Sequence, residues 1–208
     1  MASTPSAKKS LGLVAFNRIN FVSTCSLFNR TTSTMKIARL LFLLIGILFI
    51  GPLAAQDYEK KLKELGIVLP KPGNPVANYV KAVVAGDLVF LAGHGPTAAD
   101  GSYITGKVGQ DLTIEEGYNA ARITGLAILS TLKNTIGDLN RVERIVKVTG
   151  MVNSTSDFEN QPEVINGFSD LMVEVFGENG KHARSAVGMN SLPRNICVEI
   201  EVIVQLKK

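Results

Sequence analysis

The stretch His182-Ala-Arg-Ser-Ala-Val-Gly-Met-Asn-Ser-Leu-Pro-Arg-Asn-Ile-Cys-Val-Glu-Ile-Glu201 contains two apolar runs broken by Leu192-Pro193. Proline cannot continue a strand ladder, so the pattern predicts strands over Ser185–Asn190 and Ile196–Leu206 joined by a turn around Pro193-Arg194-Asn195. Glu199 and Glu201 share one strand face by the period of two. Arg184 precedes the first of these strands. Its guanidinium presents two parallel N–H donors to a carboxylate, which a lysine does not. The plainer use of such an arginine is a surface or subunit-interface ion pair. For the two glutamates it is a solvated face or an interface salt bridge.

Working back from this block, Ser156 or Asp157 is placed to cap a helix running to about Phe176, closed by Gly177 and Gly180. Val142–Val152 reads as a long strand. Thr113-Ile-Glu-Glu116 is a capping box, and the helix it opens extends to Ile136, with Ala121, Leu129, Leu132 and Ile136 facing the core and Gly137 as the stop. Asn78–Ala85 and Leu88–Ala92 flank Gly86-Asp87, a hairpin signal, and a short strand is expected near Tyr103–Gly106. Residues 57–68 read as a charged helix, followed by a proline-rich linker from Leu69 to Pro75. The order after that linker is β-β-β-α-β-α-β-β. Two helices on one face of a mixed sheet make an α+β layer fold, and an apolar second face needs a neighbour.

Together with Tyr79, Gly93 and Asn166, the His182–Glu201 block resembles the Rid (reactive intermediate deaminase, YjgF-like) family, from roughly Leu69 to the C-terminus. The likeness lies in an Arg, a Leu-Pro eight and nine residues later, and then a Val-Glu-Ile-Glu strand. The resemblance implies chorismate-mutase-like subunits in a homotrimer, with clefts between subunits. It also implies hydrolysis of imine or enamine acids of the 2-iminobutyrate type to 2-oxo acids and ammonia, with no cofactor and no metal. Arg184 then matches the carboxylate-binding arginine and Glu199 the acid near the attacking water. Tyr79, Gly93, Asn166 and Ala186 match substrate-binding positions. Ala92 stands where deaminating members carry a serine, and Ala186 where a cysteine is common. The alternatives are a trimeric module that binds a carboxylate metabolite without turnover and a ribonuclease or translation inhibitor.

Charge bears on the last of these. Of 22 Lys and Arg residues in the chain, 16 follow Ala55, against 18 Asp and Glu. The net positive charge therefore belongs to the first 55 residues, and the rest carries no basic stripe of the kind nucleic-acid binding requires. Lys36 and Arg39 precede an apolar run from Leu40 to Ile50 and the small residues Ala54-Ala55, the layout of a secretory signal. The expected organisation is residues 1–55 as extension and signal, 56–76 as helix and linker, and 77–208 as the domain. An exported protein follows, with Met35 as an alternative start and membrane contact only if the apolar segment is retained. Cleavage near Ala55 leaves Cys197 as the single cysteine, which excludes an intramolecular disulfide or a CxxC site.

Overall fold

The computed structural model describes residues 56–208 apart from Asn74 and Val76; the expected leader, its cleavage point and Met35 lie outside the described residues. The elements are α1 (Tyr58–Glu64), β1 (Ala82–Ala85), β2 (Leu88–His94), α2 (Ile114–Ile136), β3 (Val142–Asn153), α3 (Gln161–Phe176), β4 (Ala183–Met189) and β5 (Val198–Leu206). The strands form one sheet in the order β1-β2-β5-β3-β4. Every neighbouring pair is antiparallel except β3 and β4, which run parallel with α3 as their crossover. The α+β layer fold is thus as the sequence predicts.

Alternation along β5 separates the two faces of this sheet. Val198, Ile200, Val202, Val204 and Leu206 are buried beneath the helices, whereas Glu199, Glu201, Ile203 and Gln205 lie on the other face, half-buried or exposed. Above the buried face, α2 lies over β5, β2 and β1, and α3 over β3 and β4. The helices approach closely because Gly167 of α3 sits against the backbone of α2, where an added Cβ would collide with the Tyr118 carbonyl oxygen. The capping box forms as expected: Thr113 Oγ1 accepts from Glu116 N (3.2 Å) while the Glu116 carboxylate accepts from Thr113 N (2.8 Å). Helix α1 docks on the domain through Tyr58 and Leu62, four residues apart on one face, with the Tyr58 ring edge-on to Phe176 at 4.7 Å.

Three local expectations change. The strand around Tyr103–Gly106 is reduced to isolated bridges, Thr97 to Tyr103 and Thr105 to Ile196. Pro96 and Gly106 bound this segment, and Gly106 has φ +119, so no continuous ladder forms there. Helix α3 starts at Gln161, not beside Ser156 or Asp157, because Pro162 sets its first turn while Asp157 bonds Thr155. Strand β1 begins at Ala82, which leaves Tyr79 in the loop ahead of it, where its N–H donates to the Ala77 carbonyl (2.9 Å).

Candidate functional site

Arg184 pairs across the sheet with Val148, whose side chain is fully buried under the helices, so the guanidinium rises on the helix side at the β4 edge. There its Nη1 donates to Asn166 Oδ1 (2.9 Å) and to Ser169 Oγ (2.9 Å). Asn166 and Ser169 lie three residues apart on α3, so one helix face presents both oxygens. These bonds use both hydrogens of Nη1, and among the described residues the Nε–Nη2 edge has no side-chain partner, an edge whose two parallel donors suit a planar two-oxygen anion. Among the described residues no carboxylate lies within ion-pair distance of Arg184. A half-buried cation of this kind favours an anionic partner. Ala186, two residues along β4, faces the same way and carries no polar group.

His182 completes this cluster. Its Nδ1 donates to the Gly180 carbonyl (2.6 Å), and its Nε2 accepts from Ser169 Oγ (3.1 Å). Burial pushes the His182 ring below the usual histidine range; the bond to Gly180 opposes that shift, and the Arg184 charge adds to it. Ser169 is not among the site residues expected from the sequence, which gives His182 no role beyond a place along the cleft. Both were detectable by spacing: Ser169 one turn from Asn166, and His182 two residues before Arg184 on an extended backbone.

The second cluster lies on the opposite face. Glu199 pairs with Met151, three positions along β3 from Val148, an odd number that turns it to the open side of the sheet. Its carboxylate is half-buried and has no hydrogen-bond partner among the described residues. Burial, followed by the charge of Glu201, holds its pKa above the ordinary glutamate value. Gly93 lies directly beneath it: an added Cβ there would collide with Glu199 Oε1. The register of β2 slips between Leu91 and His94. This bulge puts Gly93 against Glu199 and sends His94 to the buried side, between Thr131 Oγ1 (2.9 Å) and the Ala92 carbonyl (2.7 Å). Ala92 lines an open-face groove of about 340 Å³ with Phe90, Thr149 and Glu201.

Within one chain, therefore, Asn166, Ala186 and Arg184 come together, as do Gly93 and Glu199, but the two groups face away from each other. Tyr79 stands exposed ahead of β1 and touches neither arginine nor glutamate by a hydrogen bond. Cys197 is buried with its thiol pushed up to about 11 by desolvation, which suits a packed side chain and not a nucleophile. Among the described residues no group of three or more His, Cys, Asp or Glu side chains is placed to hold a metal ion.

The family described as "YjgF/chorismate_mutase-like, putative endoribonuclease" matches residues 59–206. Protein TCP17 of Trypanosoma cruzi is 43% identical over 146 residues, covering 70% of this chain and 91% of that protein. A RutC family protein of Pyrococcus horikoshii is 32% identical over 135 residues, 64% of this chain and 89% of that one. Among solved structures, an Agrobacterium tumefaciens protein of unknown function superposes with a TM-score of 0.66 at 41% identity, covering 74% of this chain and 96% of its own.

Proposed function

The chain belongs to the YjgF/chorismate mutase-like family, and on that premise we propose that it hydrolyses reactive imine or enamine acids to 2-oxo acids and ammonia in clefts formed between its copies. The observation that carries this reading is the free Nε–Nη2 edge of Arg184, held in place by Asn166 and Ser169 with no carboxylate of the described residues to occupy it. A 2-imino acid offers the matching planar carboxylate, adjacent to the C=N carbon that water attacks.

Glu199 of a neighbouring copy supplies the base. Burial and the charge of Glu201 hold its pKa above that of a free glutamate, which makes it a stronger base than an ordinary carboxylate. It takes a proton from water as the oxygen adds to the C=N carbon and passes it to nitrogen, giving a carbinolamine; it then takes the hydroxyl proton and passes that to nitrogen as the carbonyl forms and ammonia leaves. The imine is already electrophilic, so positioning and one proton shuttle account for most of the required acceleration. Gly93 lets the carboxylate lie against the β2 backbone because it has no Cβ. The endoribonuclease in the family's description has less support here, since the residues after Ala55 carry more acids than bases. Ala92 favours a second reading, a carboxylate-binding module without turnover, since it supplies no hydroxyl to the open-face groove where deaminating relatives carry a serine.

The test is the rate of loss of freshly generated 2-iminobutyrate with the purified chain. Acceleration over the spontaneous rate, lost in Arg184→Ala, is expected. Saturable 2-oxobutyrate binding without any acceleration selects the binding module, and no binding at all removes both.

A further inference from the structure

The hydrogen bonds around Arg184 have only one consistent direction when His182 is neutral. Because the Gly180 carbonyl can only accept, the ring hydrogen sits on Nδ1 and Nε2 must be an acceptor. Ser169 therefore turns its O–H toward Nε2, which leaves its oxygen lone pairs to receive Arg184 Nη1. The ring itself is fixed on its other side by the edge of Phe168, with centroids 6.0 Å apart. The charge set against His182 is Arg184; Lys181, its neighbour in sequence, is exposed and paired with Glu178 (2.7 Å).

We propose that His182, acting through Ser169, is the positioning residue for Arg184 and couples occupation of the arginine's free edge to a proton on its own ring. This inference rests on Arg184 being a carboxylate site. A carboxylate at the free edge neutralises the cation beside His182, which makes protonation of the ring easier. By reciprocity, a proton on His182 makes the carboxylate bind more tightly. Protonation reverses one bond: Nε2–H now donates to Ser169 Oγ, which can still accept from Arg184 on its second lone pair.

The chain has two histidines, so carbon-13 labelling of histidine in the full chain gives two ring signals, with His182 assigned by its absence in His182→Gln. In the free protein its titration midpoint should lie below that of an ordinary histidine. Saturation with 2-oxobutyrate, whose carboxylate is ionised throughout this range, should raise that midpoint, as should Arg184→Gln without ligand. Calorimetry should show wild type binding 2-oxobutyrate a few-fold more tightly at pH 6 than at pH 8. His182→Gln, which keeps an acceptor for Ser169 but cannot titrate, should bind with the same affinity at both. A midpoint unmoved by bound 2-oxobutyrate, or a pH dependence that persists in His182→Gln, overturns the coupling. Should 2-oxobutyrate fail to bind wild type at all, the carboxylate-site reading falls. The midpoint in Arg184→Gln then decides whether the two residues are linked.

Discussion

Glu199 sits where its charge is unfavourable to the fold, and the proposed reaction is what would make use of that charge. Burial and Glu201 raise its pKa in the folded chain above the unfolded value. Between those two values the folded state holds more protons than the unfolded one, so this group's effect on stability worsens as pH rises through the folded pKa. Glu199→Gln removes that charge. It should leave the melting temperature at pH 7.5 equal to or above that of wild type while lowering kcat for 2-iminobutyrate about 100-fold, the usual scale for a lost general base. A thermal melt beside the kinetic assay checks both, and a clear loss of stability would mean that Glu199 has a partner that holds its charged form. The sequence made Arg184 and Asn166 visible because a guanidinium and an amide stand out in apolar surroundings. His182 and Ser169 were harder to see, since a histidine and a serine each have many ordinary uses. What singles them out is hydrogen-bond direction, which spacing does not encode.

At the scale of elements, the site depends on how closely α3 can lie against α2. Gly167 is the point of closest approach, and it is flanked by Asn166, which holds Arg184. Gly167→Ala should improve intrinsic helix propensity by about 1 kcal/mol. The added Cβ nevertheless meets the Tyr118 carbonyl, and separating two packed helices costs more, so a net loss of roughly 2 kcal/mol or more is expected. Urea denaturation measures it, and an unchanged midpoint would show that the helices can slide apart freely. In any folded fraction KM should rise more than kcat falls, because Asn166 moves with α3. Helix α2 was readable from sequence because both ends carry local chemistry, the Thr113–Glu116 box and Gly137. The start of α3 was not: Asn160 makes no side-chain cap bond, and the more obvious caps, Ser156 and Asp157, belong to the loop before Pro162. The Tyr103–Gly106 segment has strand-like composition, but its ladder partners are limited to single bridges.

At the scale of the whole molecule, the open sheet face displays Val83 and Phe90, 51% and 42% exposed, next to Ile203. A long row of β-branched and aromatic side chains is poorly placed in water and well placed against another copy of the same sheet. The sequence indicated that this face wants cover, since helices can cover only one side. It gave no sign that Arg184 and Glu199 point to opposite faces, because that depends on the parity of their positions against β3. Opposite faces make a specific demand: if both residues serve one reaction, they must come from different chains. Arg184→Ala should be inactive alone, and Glu199→Gln should keep about a hundredth of wild-type activity. When the two are co-refolded or co-expressed so that subunits mix, some clefts take Arg184 from one variant and Glu199 from the other. For random assembly into the proposed trimer, about a quarter of the clefts are then complete, and activity should return to about that fraction of wild type. If one chain supplied both residues, every cleft would lack one of them and mixing would restore nothing. Phe90→Glu should act through the same contact, shifting the mass measured by light scattering toward the single chain and abolishing activity while the helical circular dichroism signal persists. Restored activity on mixing, together with its loss on dissociation, would locate the chemistry between subunits.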